Sequence, residues 1–295
     1  MSTLWIPSAS TQPDVQRRKK KRLGSWLLVI FAVLTLIVWL FPLWMSVTSA
    51  FKTPEEIATT SWTSLPTHWT LENFTRFAHD SDFGRKLRNS IIISGGACII
   101  SLIFSFLNAV ALGVGRVKRS RAVMTICLIV FAIPQEAIVY PTYKVAKILN
   151  VYGNPIAVIV ILGIIYSAFG TLLLGEVMRA FPRELIDAAF VDGVSMRHMM
   201  RHVVYPIVKP SLKTLGIMIF IWDWNEYMMP LILLPNNDTQ TVPIAIASTF
   251  SQPGFGVVPD IAWGAAGALL SSAPTVLLFL LFQRVIARGI IVGTD

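Results

Sequence analysis

The sequence predicts an all-α membrane protein with six transmembrane helices, and three observations carry the prediction. Only 14% of its 295 residues are charged, against about 25% in soluble domains. Hydrophobic residues make up 54%, and the mean hydropathy is +0.64. Six apolar runs approach the ~20 residues that cross a hydrocarbon core about 30 Å thick. So little charge means that lipid covers most of the surface, where helices satisfy their own backbone.

The first run extends from about Trp26 to Val47, with no charge between Leu23 and Phe51. Its basic start, Arg17 to Arg22, and Thr48-Ser49-Ala50 have the outline of a secretory signal. An apolar core of ~20 residues exceeds the ~7–15 of a signal, so it is read as a retained span. The second runs from about Asn89 to Leu112, and the third from about Val123 to Tyr143 with Glu136 inside it. The fourth, Val151 to Gly175, is uncharged. The fifth, Leu215 to Leu234, holds Asp223 and Glu226, and the sixth, Ile261 to Gln283, is uncharged.

Lys and Arg set the orientation. With six spans, eighteen basic residues fall on the side of the termini and seven on the other, so both termini are cytoplasmic. The domain reading follows: a basic cytoplasmic tail at 1–24, one transmembrane domain at 25–286 and a cytoplasmic tail at 287–295. The net charge of +9 does not mark a nucleic-acid binder, because the basic residues lie between apolar runs and not on one soluble face. Cys98 and Cys127 sit inside apolar runs and read as packing residues. The external segment from Pro235 to Asp260, rich in Pro, Gly, Asn, Thr and Ser, is expected to project as a flexible finger.

The cytoplasmic loop at about 177–210 has an ordered pattern. Pro182 suits the start of a helix, and Glu184 lies near its positive end. Leu185, Ala188 and Ala189 share a face. Asp192-Gly193 stops that helix, Ser195 caps a second one running to about His202, and Pro206 and Pro210 break the chain before the fifth span.

Asp187-Ala188-Ala189, three residues, Gly193, then Pro206 and Pro210 resembles the coupling loop of permeases from binding-protein-dependent ABC importers, with Asp187 where that family usually has Glu. Lys52-Thr53-Pro54-Glu55-Glu56-Ile57, Leu65-Pro66, Leu71-Glu72-Asn73-Phe74, Asn89-Ser90 and Trp224-Asn225-Glu226-Tyr227 resemble the carbohydrate branch, as does Gly289 to Gly293, and the chain is similar to the smaller, six-span partner of a maltose-type pair. The resemblance implies a type I importer permease in a bacterial inner membrane, forming half of a sugar pore with a second permease. It also implies two cytoplasmic ATPase subunits that bind ATP and Mg²⁺, and an external solute-binding protein. Glu184, Asp187, Ala188, Ala189, Asp192, Gly193, Pro206 and Pro210 would then couple to the ATPase, Asp187 through a basic partner. The chain itself would be no enzyme and bind no cofactor; no G-x-x-x-x-G-K-[ST] occurs in it.

A charge at the bilayer centre costs about 2.5–3.5 kcal/mol on insertion scales, so intramembrane acids face a cavity or a partner. At helical spacing Ile219, Trp222, Asp223, Glu226 and Tyr227 form one stripe. Acids beside rings suit a sugar, since carboxylates accept hydroxyl protons and rings cover C–H faces. The same acids can instead hydrogen-bond neighbouring helices, and both readings stand at this point. Glu136, after Pro134-Gln135, belongs either to a kink lining the path or to a helix end satisfied locally. His198 and His202 lack the adjacent Glu of H-E-x-x-H, so no metal site is expected and a solvated face is the plainer reading. The competing function is a self-sufficient secondary transporter or channel driven through the acids of the fifth span. Against it stand the coupling loop and the lack of an internal repeat.

Overall fold

The computed structural model describes residues 15–61, 63–113, 119–250 and 260–291. Arg116, Lys118, most of the amino-terminal tail and the last residues of the carboxyl tail lie outside them. No strand occurs among the described residues. The helices are α1 (Val15–Ala50), α2 (Pro54–Thr59), α3 (Glu72–Asp80), α4 (Phe83–Gly113), α5 (Ser120–Ala132), α6 (Gln135–Ile148) and α7 (Pro155–Arg179). They continue as α8 (Arg183–Val191), α9 (Met196–Met199), a π turn (Met200–Val204), α10 (Tyr205–Trp224), α11 (Met228–Leu233), α12 (Val242–Phe250) and α13 (Ile261–Ile291).

Five helices among the described residues are long and apolar enough to cross a membrane, namely α1, α4, α7, the rod from α9 through α10, and α13, and the bent α5–α6 pair makes six when taken as one span. The packing centre is α4 against α7. Lipid gives no hydrophobic drive between helices, so close approach and interhelical hydrogen bonds supply the hold. Gly163 permits the approach: a Cβ there would sit 2.6 Å from Ile100 Cγ2 and 3.1 Å from the Ala97 carbonyl. Ser105 Oγ donates to the Ser167 carbonyl at 3.2 Å, and Asn108 Nδ2 to Thr171 Oγ1 at 3.1 Å. By contrast α1 exposes nearly all of its apolar length and rests on α13.

The third span breaks at the proline where the sequence marks a kink or a helix end, and α5 and α6 meet at 95°. Pro134 has no N–H to give, and Ile133 before it is extended, so the helix ends at Ala132. Thirteen residues rise ~20 Å, so α5 alone is shorter than the bilayer core.

Pro206 and Pro210 do not break the chain. Pro206 lies in the first turn of α10 and Pro210 is inside it. The π turn just before them widens the ladder, with the Tyr205 N–H reaching the Met200 carbonyl, and absorbs the ring that an α-turn would exclude. The fifth span therefore begins near Met196 and ends at Trp224, well before Leu234.

The external segment after Pro235 is not a free finger as far as Phe250. A 3₁₀ turn (Asn237–Thr239) and α12 pack on α4 and α13, with Val242, Ile244 and Ala245 buried. Asn89 Nδ2 donates to the Asp238 and Gln240 carbonyls at 2.8 and 3.0 Å, and Ser90 Oγ accepts from the Val242 N–H at 2.9 Å. Arg85 pairs with Asp238. Residues 251–259 of the expected finger lie outside the described residues.

The first external loop is tied by the residues that marked its sequence. Asn73, 1% exposed, donates to the Ala50 and Lys52 carbonyls at 2.9 and 2.8 Å, joining α3 to the end of α1. Lys52 Nζ, also buried, donates to Thr60 Oγ1, the Ser61 carbonyl and Ser64 Oγ. Thr53 and Glu56 form a reciprocal capping box on α2. Glu56 Oε1 also accepts from the Thr67 and His68 N–H groups at 2.9 and 3.0 Å, and from the Thr67 hydroxyl. The nearby Arg76–Asp260 pair at 2.5 Å is half exposed and contributes at most about 1 kcal/mol, so the buried Asn73 and Lys52 bonds dominate.

Candidate functional site

Two regions collect the predicted site residues. The first is the helical hairpin that turns at Gly193. Helix α8 runs from Arg183 with Glu184 in its first turn, and Pro182 is its cap residue, one place earlier than expected. Asp192 closes it, and Gly193 turns the chain at φ +68°. Ser195 Oγ then accepts from the His198 N–H at 3.4 Å to start α9. The second helix does not stop at His202 but continues through the π turn into α10.

Ile186 and Ala189 are buried in the chain's own core beside Met199 and Val204. The small-residue face expected at Leu185, Ala188 and Ala189 therefore divides. Ala189 anchors the hairpin inward, because its position matches that of Ile186 one turn earlier. Glu184, Leu185, Asp187, Ala188 and Val191 point outward, Val191 being 87% exposed. The outward face is therefore an apolar strip edged by the acids Glu184 and Asp187.

The second region lies where α10 ends. Asn225 Nδ2 donates to the Ile221 carbonyl at 2.7 Å and ties off the helix. Glu226 Oε1 accepts from the Met229 N–H at 3.0 Å and opens α11. Trp224-Asn225-Glu226-Tyr227 is thus a break between α10 and α11, and Glu226 and Tyr227 leave the single helical stripe foreseen for them. The break places Glu226 against another helix: Gln135 Nε2 donates to Glu226 Oε2 at 2.8 Å. The Tyr166 hydroxyl donates to Gln135 Oε1 at 3.2 Å. Trp222 packs among Tyr166, Phe169 and Phe131, with ring centroids 5.8, 4.9 and 6.3 Å away.

The acids separate in environment. Glu226, Tyr227 and Trp222 are half-buried, and Glu136 is exposed at the start of α6. Asp223 is 4% exposed, and neither carboxylate oxygen has a hydrogen-bond partner among the described residues. One residue along from Trp222 turns it by about 100°, into the chain's own packing and away from an open path. Among the described residues no group of three or more His, Cys, Asp or Glu side chains is arranged for a metal. His198 and His202 stack at 4.0 Å, and His202 Nδ1 donates to the His198 carbonyl.

The sequence profile of the binding-protein-dependent transport system inner membrane component matches residues 15–292. The chain belongs to that family. The permease is 28% identical over 291 residues to the probable ABC transporter permease protein YurM of Bacillus subtilis, covering 98% of this chain and 94% of that one. It is 29% identical over 280 residues to the arabinooligosaccharides transport system permease protein AraQ of Halalkalibacterium halodurans, covering 94% and 98%. Among solved structures, a bacterial ABC transporter involved in the import of the acidic polysaccharide alginate has a chain of the same fold. The TM-score is 0.76 at 19% identity, over 93% of this chain and 99% of that one.

The permease is therefore a multi-pass inner-membrane component of a multi-subunit ABC importer, and ATP hydrolysis in this family belongs to separate subunits. Sequence reasoning misses one member of this polar cluster, Tyr166, which lies in an uncharged apolar run, whereas Gln135 stands beside Glu136 at the kink that the sequence marks. A hydroxyl in such a run carries a signal, since it needs a hydrogen-bond partner in lipid.

Proposed function

We propose that the permease forms half of the translocation path for a sugar or oligosaccharide, paired with a second permease subunit, driven by two cytoplasmic ATPases and supplied by an external binding protein. ATP and Mg²⁺ belong to the ATPases. The substrate class rests on the carbohydrate-branch residues and on the arabinooligosaccharide relative.

One observation carries the reading: hairpin and polar cluster are the two ends of a single helical rod. Met196 to Trp224 is 29 residues, about 40 Å. Glu184, Asp187 and Ala188 seat in a groove of the ATPase, Asp187 against a basic side chain. Asp192 and Gly193 carry the turn, Ala189 locks α8 to the rod, and Pro206 and Pro210 ride within it. Closure of the ATPase pair moves the rod, and the rod ends at Trp222 and the Asn225–Glu226 break. There Glu226, Gln135 and Glu136 offer acceptors and a donor to hydroxyl groups, while Trp222 and Tyr227 offer ring faces. Asp223 serves from behind, as part of the moving packing.

Asp187→Arg tests the coupling. The variant should reach the membrane yet fail to co-purify with the ATPase, or fail to stimulate its ATP hydrolysis. Wild-type transport by that variant would remove Asp187 from the interface.

A further inference from the structure

A groove of about 620 Å³ lies along α10 between α4 and α13, apart from the polar cluster. Its walls are apolar, with Leu102 and Phe106 from α4, Gly216 and Phe220 from α10, and Leu278 and Phe282 from α13. Gly216 keeps the floor low and receives a hydrogen bond from Cys98 Sγ on its carbonyl at 3.3 Å. At the cytoplasmic end the character changes. Lys209 and Lys213 stand one helical turn apart, both exposed, and Tyr205 closes the mouth edge-on to Phe106. Among the described residues no acidic side chain lines the groove to neutralise the two lysines.

The dimensions match one leaflet. Lys209 to Phe220 is 11 steps along α10, a rise of roughly 16 Å, and half a hydrocarbon core is about 15 Å. Two exposed lysines at the mouth of an apolar groove ask for an occupant with an anionic head and an apolar tail. Basic pockets between transmembrane helices on the cytoplasmic side suit anionic lipid headgroups.

We propose that this groove holds an anionic phospholipid of the cytoplasmic leaflet, its phosphate between Lys209 and Lys213 and one acyl chain along Gly216 and Phe220. The lipid lies against the same helix that forms the rod, so it braces α10 between α4 and α13. The inference stands on the groove and its cations and does not require the sugar assignment.

The test is native mass spectrometry of the full permease with its co-purifying partners, delipidated and titrated with phosphatidylglycerol or phosphatidylcholine. Phosphatidylglycerol should bind preferentially. K209Q/K213Q should weaken it by about thirtyfold, about fivefold for each lysine, and leave phosphatidylcholine unchanged. K209R/K213R should keep the preference, which separates charge from misfolding. A photo-cross-linker at Ile217 should capture lipid. Equal affinity for the two lipids, indifference to K209Q/K213Q, or a cross-link to another protein chain would each overturn the assignment.

Discussion

Gly193→Ala isolates the geometry of the cytoplasmic turn. Gly193 sits at φ +68°, and a Cβ built there meets nothing within 4 Å. The substitution therefore adds no clash, and its whole cost is conformational. An L-residue held in the left-handed region loses about 1–2 kcal/mol, and Asn tolerates that region better. The hairpin is held by Ile186 and Ala189 and by local bonds, including Asp192 N–H to the Ala188 carbonyl at 2.9 Å and Val194 N–H to the Ala189 carbonyl at 3.0 Å. Weakening it by 1–2 kcal/mol raises its open population about 5- to 30-fold. Amide hydrogen exchange in the assembled importer reads that population directly. Residues 188–199 should exchange about 5- to 30-fold faster in Gly193→Ala, and close to wild type in Gly193→Asn. Unchanged exchange in the Ala variant, or equal rates for Ala and Asn, would refute the argument from φ.

Further outcomes follow from the other bonds. Gln135→Leu leaves Glu226 Oε2 and the Tyr166 hydroxyl without their shared partner; a charge-assisted bond of about 1.5–3 kcal/mol is lost, and uptake should fall tenfold or more with ATPase association intact. Asn73→Ala removes both bonds to the end of α1 and should lower complex stability by about 1–3 kcal/mol in thermal unfolding; a change below 0.5 kcal/mol would show that α3 is held otherwise. Burial acts to raise the Glu56 carboxyl pKa, but N–H groups of His68, Thr67 and Thr53 outweigh it and hold it below the ordinary 4.5. A folded value below the unfolded one stabilises the loop above about pH 4.5, and the stabilisation fades as pH falls through the lower folded value. Limited proteolysis of residues 51–69 should therefore accelerate on acidification from pH 6 to pH 3, and Glu56→Gln should flatten that dependence.

Much of the architecture is legible in the sequence, because span length and the positions of Lys and Arg answer to the bilayer alone. Pro134 marks the break between α5 and α6 for the same local reason, a missing donor. Other features needed three dimensions. Pro206 and Pro210 read as breakers, since the π turn that leads into Pro206 leaves no periodic signature and Pro210 is carried inside α10. Glu226 reads as a continuation of the Trp222–Asp223 stripe; its capping of α11 depends on Asn225 ending the helix first. Ala188 and Ala189 are equally small, and only the packing of Ile186 tells which faces inward. The composition of 235–250 suggests a free loop, but Asn89 and Ser90, about 150 residues earlier, fix it.

Gentle affinity purification of the permease from native membranes, with identification of the co-purifying chains, decides whether it works as one half of an ATP-driven importer. An ATPase, a second permease and a secreted solute-binding protein should co-purify, and the ligand of that binding protein names the substrate. An intact, transport-active protein recovered with no ATPase would contradict that role.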